Sequence, residues 1–91
     1  MSARFRRHPD LRLTELAGEG IVLHLGSRRY FSVSGTGLAI LEALIEPRSM
    51  DELVAMLTAG YEVDAAHARA SAGEFLERCR AAGVVVEEPA V

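Results

Sequence analysis

Residues 30–47 read YFSVSGTGLAILEALIEP, a short run of strand-favouring residues that passes through a glycine-containing turn into an almost wholly apolar helix. Arg29 to Val33 supplies the aromatic and β-branched types that suit a pleated surface. The hydroxyl of Ser34 or Thr36 can accept from the open backbone donors at the start of the helix. Pro47 ends it by withholding a donor and restricting its predecessor. Between these limits Leu38, Ile40, Leu41, Leu44 and Ile45 leave only Glu42 and Glu46 clearly polar, which is too apolar for a one-sided surface helix. The helix is therefore expected at the centre of the core, with a small sheet clamped on it.

Toward the amino terminus the alternation of apolar and polar residues predicts two more strands. Leu11 and Leu13 alternate with Arg12 and Thr14 in the first. Gly18 and Gly20 offer the positive φ of a hairpin turn, and Ile21, Leu23 and Leu25 share one face of the second. Gly26-Ser27 turns the chain into the third strand, Arg29 to Val33, completing a three-stranded antiparallel meander. Residues 1–10 have no apolar periodicity, so they are expected to be a flexible basic tail, with order beginning near Leu11.

Toward the carboxyl terminus Ser49 and Glu52 fit a capping box, and Met50, Leu53, Val54 and Leu57 recur at helical spacing. This second helix should run to about Ala59, with Gly60 as its stop. Asp64 is a good N-cap for a third helix reaching about Ala82, whose apolar stripe is Ala68, Ala72, Phe75, Leu76 and Cys79. Gly73 lies inside that helix at a cost of ~1 kcal/mol relative to alanine, which either sequence drift or a close neighbour must explain. Val84 to Val86 can return to the core as an extended segment, and residues 87–91 are expected to fray. The fold class is α+β, with one domain over residues 11–86.

Ninety-one residues, 49% of them hydrophobic, suffice for one core with little stability in reserve. A single cysteine, Cys79, excludes an internal disulfide framework and fits a reducing cytoplasm. The basic amino terminus is not followed by a signal-peptide core, and no apolar run approaches the ~20 residues needed to span a bilayer, so a soluble protein is expected. All ten basic residues are arginine, six of them in the first third of the chain at Arg4, Arg6, Arg7, Arg12, Arg28 and Arg29, while acidic residues dominate the later helices. A net charge of −3 weighs against nucleic acid but leaves a basic arm for acidic partners. His8, His24 and His67 lack metal-ligand spacing, and no catalytic triad or phosphate loop is present. Neither a metal, a cofactor nor a catalytic residue is expected.

Three strands, a Gly-Thr-Gly turn and three helices, in this order, resemble the PqqD-like family, also called RiPP recognition elements. The resemblance covers roughly residues 8–86. It is carried by His8-Pro9-Asp10, by Arg29-Tyr30-Phe31 in a strand ending at Val33, by Thr36-Gly37 opening the first helix, by Pro47 before a capped second helix, and by Ala82-Gly83-Val84. It implies a winged helix-turn-helix domain that grips the leader of a ribosomally made precursor peptide and has no chemistry of its own. Free-standing members of similar length look like the leader-binding partner of lasso-peptide maturation, where a separate peptidase and a cyclase act. The member that names the family serves pyrroloquinoline quinone synthesis. Ser34 stands where many relatives carry Asn, and Ile40 or Leu41 where an aromatic is frequent. The same architecture also serves DNA binders, which would use the third helix.

In that family the leader adds as a further strand along the third strand and lies against the third helix. Carried to this chain, the strand side is Tyr30, Phe31, Ser32 and Val33, and the helix side is Arg69, Ala72, Gly73 and Leu76. Arg28 and Arg29 would attract acidic leader positions. By alternation Phe31 and Val33 are also core residues, Ala72 and Leu76 pack the core, Arg69 is a solvated helix charge, and Cys79 is a small buried hydrophobe.

Overall fold

A computed structural model of the protein describes residues 3–88. The elements in chain order are strands β1 (Arg4–Arg7), β2 (Leu11–Leu16), β3 (Glu19–His24) and β4 (Arg29–Val33), helix α1 (Gly35–Ala43), strand β5 (Arg48–Ser49), helices α2 (Met50–Gly60) and α3 (Ala65–Ala81), and strand β6 (Val85–Glu88). Strands β2, β3 and β4 form the expected antiparallel meander. With the three helices they give an α+β fold of the winged helix-turn-helix kind. No helix among the described residues is long and apolar enough to cross a membrane.

The pleat fixes the two faces of the meander. Leu13, Val22 and Phe31 stand in one cross-strand row on the inner face, and Arg12, Leu23 and Tyr30 in the next row on the outer face. Val22 is buried, whereas Leu23 and Leu25 are exposed, so the face shared by Ile21, Leu23 and Leu25 is the outward one. Gly20 is not a turn residue. It sits in β3, where a Cβ would lie 2.7 Å from Val33 Cγ2 and 2.8 Å from Leu38 Cβ. The turn falls instead on Ala17 and Gly18, both with positive φ (53° and 83°).

Local capping explains where the helices begin. Ser34, and not Thr36, caps α1, its Oγ accepting from the Gly37 amide. Ser49 and Glu52 form the reciprocal capping box of α2. The Ser49 amide donating to Glu52 is the main reason that carboxyl is held below its ordinary pKa. Asp64 caps α3, accepting from the His67 amide at 2.7 Å. Gly83, with φ of 76°, follows its end. Leu41, Leu44 and Leu53 are wholly buried at the centre, with Val22 beneath them.

Three expectations are corrected. Helix α1 stops at Ala43, four residues short of Pro47, so Ile45 lies beyond it and is 68% exposed rather than in the core. The amino-terminal segment is not a tail from residue 3 onward. Strand β1 is the middle strand of a second antiparallel sheet, between β5 and β6, and the Arg7 amide donates to the Leu44 carbonyl. Arginines of β1 and β5 serve this docking. The Arg7 guanidinium donates to the Leu41 carbonyl at 3.2 Å, Arg48 donates to that of Ala43 at 2.9 Å, and Arg6 pairs with Glu88. Arg7 and Arg48 supply the positive charge that the last turn of α1 lacks. Residues 87 and 88, expected to fray, belong to β6, while residues 1, 2 and 89–91 lie outside the described residues.

Deleting residues 1–7 should remove the central strand of the second sheet. Several hydrogen bonds of about 1 kcal/mol net each would be lost, and the melting temperature should fall by roughly ten degrees or more. Differential scanning calorimetry checks this; an unchanged melting temperature would show that β1 contributes nothing. Ala17→Asn should raise stability by about 0.5–1 kcal/mol, because alanine tolerates the left-handed region poorly and Asn-Gly suits this turn. Urea denaturation reads that change.

Candidate functional site

Among the described residues β4 is hydrogen-bonded to β3 alone, so its other edge presents unpaired amides and carbonyls. Such an edge is a template for a further strand. Between that edge and α3 lies a cavity of about 440 Å³. Phe31, Ser32, Val33 and Ser34 line it from the strand, and Phe75, Arg78, Cys79 and Ala82 from the helix. Its floor is made by buried Val22, Leu41 and Val84. Phe31 and Val33 point to the inner face yet remain only partly buried, because α3 does not close over them.

A second depression of about 390 Å³ adjoins the first and shares Ser34, Phe75 and Arg78 with it. It opens where the start of α1, the end of α2 and the middle of α3 meet. Phe75 stands between the two hollows. Its ring rests over Gly37, where an added Cβ would come within 2.8 Å of Cε1.

The residues expected at the site divide clearly. Phe31, Ser32 and Val33 line the first cavity and Ala72 the second. Tyr30 is 75% exposed on the outer face, opposite Phe31. Arg28 occupies the β3–β4 turn with φ of 60°, and Arg29 opens β4; both are exposed and outside the cavity lining. Arg69 is tied to Asp51 at the start of α2, Leu76 is buried in the core, and Gly73 lines neither hollow. The helix side of the groove is instead Phe75, Arg78, Cys79 and Ala82, the next stripe round the same helix. Phe75 and Cys79 were already visible as apolar positions at helical spacing. Their neighbour Arg78 carried no signal of its own.

The electrostatics single out Arg78. Of the arginines on α3, Arg80 pairs with Glu77 at 2.6 Å and Arg69 with Asp51, while Arg78 makes no ion pair with another described residue. Burial pushes the Cys79 thiol up to about 11, so it is a neutral wall atom at physiological pH. Among the described residues no group of three or more His, Cys, Asp or Glu is placed to hold a metal ion.

A winged helix-turn-helix domain with an open wing edge beside its last helix is the class that this geometry defines. The sequence profile of the family described as coenzyme PQQ synthesis protein D (PqqD) matches residues 19–85. The chain therefore belongs to the PqqD family. Two solved structures share its fold. One, described as TbiB1 in complex with the TbiA(beta) leader peptide, has a TM-score of 0.76 and 22% identity over 88% of this chain and 93% of the other. The other, lasso peptide synthetase B1 complexed with the leader peptide, has a TM-score of 0.75 and 21% identity over 90% and 96%. No curated protein matches the chain.

Gly73 answers the question left open by its place inside α3. An added Cβ there would meet only Met50 Cε, at an ordinary 3.9 Å. No neighbour requires glycine, so Gly73→Ala should stabilise the protein by about 0.8–1 kcal/mol through helix propensity. Chemical denaturation checks this, and a destabilised variant would reveal a constraint that the packing does not contain.

Proposed function

We propose that this chain is a recognition element for the leader of a ribosomally made precursor peptide, binding it as an added strand along β4 against α3. The observation that carries this reading is the unpaired β4 edge beside an apolar, open cavity. Membership of the PqqD family and a fold shared with two leader-peptide complexes support it. The lasso-peptide description of one of those complexes favours a lasso precursor. A separate leader peptidase and a cyclase are then the enzymes to which the peptide is delivered. In pyrroloquinoline quinone synthesis the same groove would serve a different precursor, and the peptide that binds tells the two apart.

Simple energetics assign roles to the groove residues. About five main-chain bonds at ~1 kcal/mol net give roughly 5 kcal/mol, comparable with the 2–5 kcal/mol that ordering a flexible segment costs. Micromolar affinity needs about 8 kcal/mol, so apolar side chains of the leader must enter the cavity. Phe31, Val33 and Phe75 supply the wall for them, at roughly 25 cal/mol per Å² of apolar surface buried. Arg78 at the wall, Arg28 in the turn and Arg29 at the start of β4 favour acidic leader positions and raise the association rate. Chemistry is left to the partner enzymes. A DNA-binding role finds less support, since α3 presents Glu74 and Glu77 and two of its three arginines are already paired.

Fluorescence anisotropy with the labelled leader of a candidate precursor peptide tests the proposal. Phe75→Ala should weaken binding about tenfold, and Arg69→Ala should leave it unchanged. Unchanged affinity in a folded Phe75→Ala protein, or tighter binding to duplex DNA than to the leader, would contradict the reading.

A further inference from the structure

The second hollow is not a by-product of an unfinished core. Its buried floor is made by Ile40, Leu57 and Ala72 of α1, α2 and α3, and the apolar surface that stays accessible is that of Tyr61, Val63 and Phe75. Where α1 and α3 approach one another the ring of Phe75 covers Gly37 and forms the side of the hollow toward the groove. At about 390 Å³ the hollow lies in the range of ~300–1,000 Å³ typical of ligand pockets. It is also continuous with the groove. Beyond Val33 the β4 track meets Ser34, then the ring of Phe75, and then the second hollow.

Charge narrows the occupant. Arg78 lines both hollows and makes no ion pair with another described residue, whereas Arg69 and Arg80 on the same helix are neutralised. Glu74 lies one turn back on the rim of the second hollow. One carboxylate near Arg78 is therefore favoured, and a second, nearer Glu74, is repelled.

We propose that this hollow is a second pocket for the same bound peptide. It takes one aromatic or branched aliphatic side chain from the flank that leaves β4 at Ser34, with one acidic residue beside it paired to Arg78. This rests on strand addition at β4, and it adds that specificity is set partly beyond the paired stretch. The peptide is thus read at two places, by backbone pairing along β4 and by a side chain held among the three helices.

The test uses the full chain and a displayed library of random 20-residue peptides, from which one binder is selected, labelled with fluorescein, and compared with a version lacking the flank. Ser32→Cys and Ser71→Cys variants, at exposed positions lining the first and second hollow, are folded and then alkylated with N-phenylmaleimide. Each block is thereby installed in an already folded protein. Wild-type chain treated in the same way, whose Cys79 is buried, is the control.

The Ser32 adduct should abolish binding of both peptides. The Ser71 adduct should weaken the long peptide at least tenfold, to the affinity of the truncated one, and leave the truncated one unchanged. A silent Ser71 adduct beside a blocking Ser32 adduct would overturn the second pocket and leave strand addition standing. A silent Ser32 adduct, or a library that yields no binder, would overturn both.

Discussion

At Gly20 and Gly37 the packing leaves no room for a Cβ, and these two contacts set the geometry on which the groove depends. Gly20 lets Leu38 of α1 press onto the sheet beside Val33, and Gly37 lets the ring of Phe75 press onto the start of α1. Helix α1 therefore lies directly on the wing on one side and against α3 on the other. Strand β4 and α3 both lean on α1 without closing on each other. A side chain at either glycine would force the sheet or the helix away and change the width of the cavity between them. The apolar character of α1, with Leu38, Ile40, Leu41 and Leu44 all buried, follows from its being enclosed on several sides.

The two sheets have different duties. The meander presents the β4 edge beside the cavity, whereas the second sheet joins the amino-terminal segment to the last strand through β1 at its centre. For a domain of this size, closing the termini matters because the buried area leaves little margin. The arginines follow the same division. Arg6, Arg7 and Arg48 are engaged by Glu88, by helix-end carbonyls and by nearby carboxylates. Arg28, Arg29 and Arg78 make no ion pair among the described residues and flank the open groove. The basic residues thus mark both a structural clasp and the surroundings of a site, a distinction that composition alone does not draw.

Much of this was legible in the sequence where the signal was local. The strands Leu11–Leu16 and Arg29–Val33 followed from alternation, and Ser34, Ser49 and Asp64 announced their helices through capping chemistry. Strand β1 was hidden because Arg-Phe-Arg-Arg has no apolar alternation and gains its order from partners more than forty residues away. Gly20 was misread because a glycine after a turn and a glycine under a helix look the same in one dimension. On α3 the core stripe of Ala68, Ala72 and Leu76 adjoins the groove stripe of Phe75, Arg78, Cys79 and Ala82. Helical periodicity finds the stripes but cannot say which flank faces the sheet. That depends on how α1 sets the helix down, which is a tertiary fact.

The central claim is that a peptide joins the outer edge of β4. Isotope-filtered NMR on labelled protein with unlabelled leader peptide addresses it most directly. The account predicts cross-strand contacts between peptide backbone protons and those of residues 30–33, together with contacts from peptide side chains to the ring of Phe75. Contacts confined to the Leu11–Leu16 edge, or to the helices with β4 untouched, would contradict it.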